Sequence, residues 1–159
     1  MFGSKKMLLT TANNGYLLSR ASSVLQKNTK LYGPMNALDL DSSTSCWNSD
    51  GSPSGKHSSH YILEFGRSVE PTELRIQFQA GFVAEKLQVL SQQQQDSTWR
   101  PVMELEVDDD HDLQVFTLDS SGSTVGTNAL KLVFDECTDF YGRVTVYQLQ
   151  IWGYEITTK

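Results

Sequence analysis

Apolar residues recur at every second position through much of this chain, and a period of two is the signature of strands. Leu74, Ile76 and Phe78 alternate with Arg75 and Gln77, the pattern of a strand buried on one face. Tyr61, Leu63 and Phe65 alternate in the same way with Ile62 and Glu64. Residues 87–90, 102–107, 113–118 and 129–135 are further short strand candidates. Between them stand turn-forming groups: Gly66-Arg67-Ser68, Ala80-Gly81, Asp108-Asp109-Asp110 and Ser120-Ser121-Gly122-Ser123. Short strands at this spacing, with no convincing helix, predict an all-β sandwich or barrel. In the last segment, Val144 and Val146 share one phase, whereas Tyr147, Leu149 and Ile151 share the other. A one-residue slip turns every later side chain to the opposite face. A β-bulge near Val146 or Tyr147 is therefore predicted, or a strand buried on both faces. The glutamines of residues 92–95 read as a solvated hairpin tip. Residues 16–26 fit no single period. Residues 1–15 read as a loose tail or edge strand ahead of one domain over residues 16–157.

One loop stands out from this regular background. Residues 36–47 carry Asp39, Asp41, a run of hydroxyl side chains and then Trp47. Short polar side chains compete for the backbone, so the segment suits neither a helix nor a core strand. It reads as a tight, oxygen-lined loop that delivers Trp47 into the core, where its indole N–H needs one acceptor. Stacking of Trp47 on a ligand is the alternative. Asp39, Asp41 and Thr44 together offer the hard oxygens that Ca²⁺ takes. The plainer reading is that the two aspartates close Asx-turns on the loop's own amides.

Charge and composition exclude several functions. A formal net charge of −6 opposes general binding to a phosphate backbone, so no direct nucleic-acid partner is expected. It equally opposes docking by charge onto an anionic membrane. A chain of 159 residues can bury a core without covalent staples. Cys46 and Cys137 lie far apart and read as free thiols of a reducing compartment. Lys5 and Lys6 precede only three apolar residues, too few for a signal-peptide core. A soluble protein of the nucleus, the cytoplasm or both is expected.

No phosphate loop, nucleophile elbow or zinc-hydrolase motif is present, so an enzyme is not expected. His57 and His60 flank two serines without metal-ligand spacing, and His111 lies in the acidic run of residues 108–112, read as a solvated turn. The candidate binding residues lie in loops expected to meet at one end of the sandwich. They are Asn28 with Tyr32, Asn48 with Asp50, Gln79 with Phe82, and Phe140, Tyr141 and Arg143. Aromatic area, a planar guanidinium and side-chain amides are what a recognition patch requires. Phe140 and Tyr141 precede Gly142, and two adjacent aromatics cannot both face the core of a tight turn. The competing reading is a purely structural turn, with Gly142 at positive φ and Arg143 paired to Asp139.

Four segments in order resemble discoidin-like domains (coagulation-factor type C, galactose-binding-like). They are residues 36–47; residues 60–66, ending in Glu64-Phe65-Gly66; residues 87–91 with 99–102, where Trp99 opens a return strand; and residues 129–134 with 146–153. The resemblance covers about residues 16–155 and implies a β-sandwich jelly roll that binds without catalysis. In sugar-binding members it implies a structural calcium on the first loop, helped by an acidic residue on the last strand. Here the matching position is Gln148, a neutral amide, which weakens such a site; no other cofactor is implied.

A narrower resemblance runs through residues 20–25 with Asn28-Thr29, and through residues 46–50, 76–82 and 139–144. These are similar to a family of small single-domain proteins associated with nuclear receptors. That likeness implies a protein partner, a nuclear receptor among the candidates, and a repressing role in transcription. The alternative is a glycan-binding, lectin-like domain using Tyr141, Arg143 and Asn48. It suits an extracellular address, which the missing signal sequence opposes, so a glycan or small-molecule ligand is not expected.

Overall fold

The computed structural model describes residues 5–11, 17–55, 58–94, 96–118 and 126–156. Tyr16, His57 and the serine-rich turn at residues 120–123 lie outside the described residues. The strands are β1 (Met7–Leu8), β2 (Leu18–Ala21), β3 (Trp47–Asn48), β4 (Ser59–Phe78), β5 (Ala84–Gln92), β6 (Arg100–Glu106), β7 (Leu113–Thr117), β8 (Thr127–Cys137) and β9 (Thr145–Glu155). Among the described residues, short helical turns occur only between β2 and β3, including α1 (Thr29–Tyr32). No helix among the described residues is long and apolar enough to cross a membrane.

The two alternating segments at residues 61–65 and 74–78 are one 20-residue strand, β4. Gly66-Arg67-Ser68, expected to end a strand, instead forms an irregularity within it: Gly66 has φ 68°, and the register with β8 shifts between Glu64 and Val69. A left-handed residue inside a strand bends it rather than ending it. Before the bend β4 pairs with β2 and β8; beyond it, it keeps β8 only at Val69 with Thr127 and pairs with β9 and β7. The strand thereby joins two antiparallel layers, β2–β4–β8–β5–β6 and β7–β4–β9, with β1 and β3 also on β9. This is the sandwich that the spacing predicts.

The inward faces meet in an aromatic cluster. Trp47 packs edge-on against Tyr61 and tilted against Phe134, both with centroids at 5.3 Å, and Phe134 meets Phe78 across the layers at 6.1 Å. All four are fully buried, each removing about 150–250 Å² from water. The Trp47 indole N–H donates to the Ser23 carbonyl at 3.0 Å, and the Tyr61 hydroxyl donates to the Pro34 carbonyl at 2.7 Å. The phase slip in β9 is a bulge: Gln77 pairs with Gln148 but Phe78 with Val146, leaving Tyr147 as the extra residue. Val146 and Leu149 are thus both buried. At the N-terminal side, Leu9 is fully buried and its N–H donates to the Ile151 carbonyl at 2.7 Å.

Candidate functional site: a loop cluster at one end of the sandwich

The turn between β8 and β9 is organised by one carboxylate. Asp139 Oδ2 accepts from the Tyr141 N–H (3.2 Å), the Arg143 N–H (3.1 Å) and Arg143 Nε (2.8 Å), while Oδ1 accepts from Arg143 Nη2 (3.0 Å). Gly142 closes the turn at φ 77° and donates its N–H to the Asp139 carbonyl. Only a residue without a Cβ adopts that conformation without strain. The hydrogen bonds from Arg143 hold the Asp139 carboxyl below the usual carboxylate range, and Asp139 in turn raises the guanidinium. Fixed in this way, the guanidinium lies over the rings of Phe82 (5.2 Å) and Tyr141 (5.5 Å). Phe140 turns outward, 78% exposed, with its ring edge-on to Tyr141 at 5.1 Å. The two sequence readings of this turn hold together: Arg143 is structural, and an aromatic residue is presented to solvent.

Two further loops are fastened to this turn. The segment after β3 is held by Ser49, whose N–H donates to the Val144 carbonyl and whose hydroxyl accepts the Val144 N–H. The Ser52 N–H donates to the Tyr141 carbonyl at 2.9 Å. A Cβ on Gly51 would stand 2.9 Å from the Tyr141 Cβ, so this backbone approaches the turn as only glycine permits. The Asp50 carboxylate accepts the Gly51 N–H, and the Asp50 N–H donates to the Ser23 hydroxyl oxygen. The loop between β4 and β5 joins through the Gln79 N–H to the Thr145 carbonyl and the Thr145 N–H to the Phe82 carbonyl. Gly81 then donates to the Asp109 carboxylate at 2.9 Å, which draws in the acidic turn between β6 and β7.

Asn48, Asp50, Gln79, Phe82, Phe140, Tyr141 and Arg143 therefore share one end of the sandwich. Asn28 and Tyr32 stand to its side. Asn28 caps α1 by accepting the Leu31 N–H, and neither side chain hydrogen-bonds to the Phe140 turn. Asp139 and Asp109 are not among the residues that the sequence singles out for binding. Asp139 is signalled only by its spacing of four from Arg143, and Asp109 by nothing local, because its partner lies 28 residues away. In β3–β9, Asn48 faces Thr145, and the Asn48 Oδ1 and Thr145 Oγ1 are both buried without a hydrogen-bond partner.

The Asp39 loop closes on itself. Asp39 Oδ1 accepts the Asp41 N–H at 3.0 Å, and the Ser42 hydroxyl accepts from the Thr44 and Ser45 amides. Asp39, Asp41 and Thr44 are exposed, and Gln148 bonds Gln150 rather than this loop. No group of three His, Cys, Asp or Glu side chains among the described residues converges as a metal site. Of the two carboxylates, Asp39 already accepts a backbone amide through one oxygen. Cys46 and Cys137 are free thiols. Burial, with the nearby Asp135 and Asp139 carboxylates, pushes the Cys137 thiol up to about 11, and burial likewise raises Cys46. Neither is an activated nucleophile. His60 is a half-buried residue of β4, its pKa lowered by burial and by the nearby Lys131 and Arg20.

Comparison with known proteins places this arrangement. No protein-family model matches the chain. It is 36% identical over 136 residues to "Nuclear receptor 2C2-associated protein" of Mus musculus, covering 86% of this chain and 90% of the relative. The Homo sapiens protein of the same name is 34% identical over 139 residues, covering 87% and 93%. The chain belongs to the nuclear receptor 2C2-associated protein family. Among solved structures, an F5/8 type C domain from Bacteroides fragilis superposes with a TM-score of 0.74 at 10% identity, covering 97% of this chain and all of that one. A Clostridium perfringens module, CpGH89CBM32-5, solved with GalNAc-β-1,3-galactose, gives 0.72 at 18% identity, covering 91% and 99%. The nuclear receptor 2C2-associated protein family member described here thus has the discoidin-like jelly roll that its four sequence segments imply.

Proposed function

We propose that this chain is a non-catalytic interaction module that binds a nuclear receptor through the Phe140–Tyr141 end of the sandwich and represses transcription by doing so. The observation that supports the reading is an exposed aromatic pair on a rigid turn. Phe140 is 78% exposed, yet Asp139 and Arg143 fix the backbone that carries it. An exposed ring on a fixed support needs little further ordering when a partner covers it, which favours binding. Asn48, Asp50, Gln79 and Phe82 form the surround, with Asn28 and Tyr32 at its margin. The names of the relatives supply the class of partner. The module acts in the nucleus, the cytoplasm or both, without a metal, a membrane or direct contact with nucleic acid.

The test is capture of purified nuclear receptor 2C2 by the intact chain and by Phe140→Ala/Tyr141→Ala, each with calcium and with chelator. Capture by the wild type in both conditions is expected, with affinity at least about tenfold weaker in the variant, a difference of about 1.4 kcal/mol. Undiminished capture by the variant would overturn the proposed surface. Saturable binding on a glycan array without receptor capture would overturn the class of partner.

A further inference from the structure

Among the described residues, β6 and β7 each end a layer with one side unpaired, and the two edges are built differently. β6, at the edge of the first layer, exposes Arg100, Pro101, Glu104 and Glu106 and has a register irregularity against β5. Charges, proline and bulges are the usual means of keeping an edge from pairing with another chain. β7, at the edge of the second layer, reads Leu113-Gln114-Val115-Phe116-Thr117 and has none of them. Its pairing with β4 is regular over all five residues, and among the described residues no strand pairs with its other side.

The direction of its free backbone groups is set by one bond. The Leu118 N–H donates to the Thr72 carbonyl at 2.8 Å, continuing the β4–β7 ladder. In an antiparallel ladder the N–H and C=O of alternate residues point to the same neighbour. Leu118, Phe116 and Gln114 therefore face β4, and the N–H and C=O groups of Leu113, Val115 and Thr117 face outward. These are also the residues whose side chains are exposed, with Leu113 at 40% and Val115 at 55%. At the N-terminal end of β7 lie Asp108 and Asp112, both exposed and in no ion pair among the described residues, whereas Asp109 and Asp110 are engaged with Gly81 and with Asp112 and Gln114.

We propose that β7 is a docking edge for an extended segment of a partner protein, which adds as an antiparallel strand with apolar side chains at alternate positions and Lys or Arg at its C-terminal end. The antiparallel arrangement sets the polarity, because it lays the C-terminal end of the incoming strand beside Asp108 and Asp112. Backbone hydrogen bonds supply the affinity of such strand addition, and the alternate side chains supply its selectivity. A second copy of this chain is a poor occupant. A pair of five-residue strands covers far less than the roughly 1,200–2,000 Å² of a stable interface, and each copy carries a net charge of −6. This docking edge does not include Phe140 or Tyr141, although its acidic end adjoins the Gly81 loop through Asp109.

The test tracks amide exchange and chemical shifts of the full chain, titrated with a synthetic peptide of alternating threonine and valine ending in Lys-Arg. Slower exchange at Leu113, Val115 and Thr117 is expected. Val115→Pro removes an outward N–H without breaking the β4–β7 ladder, and should weaken binding at least about tenfold. Asp108→Lys/Asp112→Lys, which leaves the edge intact, should weaken this peptide but not one ending in Ser-Ser. Unchanged exchange on titration, peptide-induced shifts confined to Phe140 and Tyr141, or slowed exchange that depends only on protein concentration would each overturn the proposal.

Discussion

The Asp39 loop and the Asp139 turn are built with the same device and send their aromatic residues in opposite directions. In each, an aspartate closes the chain by accepting backbone amides: Asp41 in the first, Tyr141 and Arg143 in the second. Trp47 enters β3 at once, pairs with Val146 and finds an acceptor for its N–H at Ser23. Phe140 sits in the middle of its turn, with β9 still five residues away. The position of the next strand makes the difference. An aromatic residue that begins a paired strand is carried inward, whereas one at the apex of a turn has no neighbouring strand to cover it.

Replacing Trp47 by alanine tests the inward case and should have the largest effect. Loss of its contacts with Tyr61 and Phe134 should destabilise the fold by about 3–5 kcal/mol in urea or thermal unfolding. A loss below about 1 kcal/mol would erase the distinction between the two loops. Asp139→Ala comes next, since four hydrogen bonds converge on that carboxylate. Its expected cost is about 1–3 kcal/mol, accompanied by shifts in the ring resonances of Phe82 and Tyr141. Asp39→Ala, which frees a single amide, should cost less than Asp139→Ala; equal losses would mean that the two closures differ only in what they carry.

The Asp139 closure also has a pH signature. The hydrogen bonds from Arg143 lower the Asp139 pKa in the folded chain, so the carboxylate contributes stability above its unfolded value of about 3.9. That contribution is lost as pH falls through the lower folded value. The melting-temperature gap between wild type and Asp139→Asn should therefore be full at neutral pH and narrow below about pH 4. A gap that stays constant with pH would show that the interaction does not depend on the charge.

The sequence discloses these regions unequally, for physical reasons. Periodicity finds β5, β6, β8 and β9 through their buried side chains, and it even locates the Tyr147 bulge, since buried side chains cannot change phase without an extra residue. It misreads Gly66, because a glycine at positive φ looks the same in a bend as in a turn. It misses β2, whose four residues are too few to display a period. At the loop end, Phe140 is legible from its neighbours, Tyr141 and Gly142. Asp109 is not, because a contact across 28 residues leaves no local trace. Asn28 caps α1, a role that its sequence neighbours do not announce.

Phe140→Ala should have the smallest effect on stability, and for that reason it divides the two regions most sharply. A ring 78% exposed removes little apolar surface from water, so the expected loss is within about 0.5 kcal/mol. Tyr141→Ala should cost somewhat more, because its ring lies against the Arg143 guanidinium and its Cβ against Gly51. A Phe140→Ala variant that loses receptor binding at unchanged melting temperature would assign the ring to recognition. A variant that loses more than about 1 kcal/mol would instead make Phe140 part of the turn's own packing with Tyr141, and the contrast with Trp47 would become one of degree.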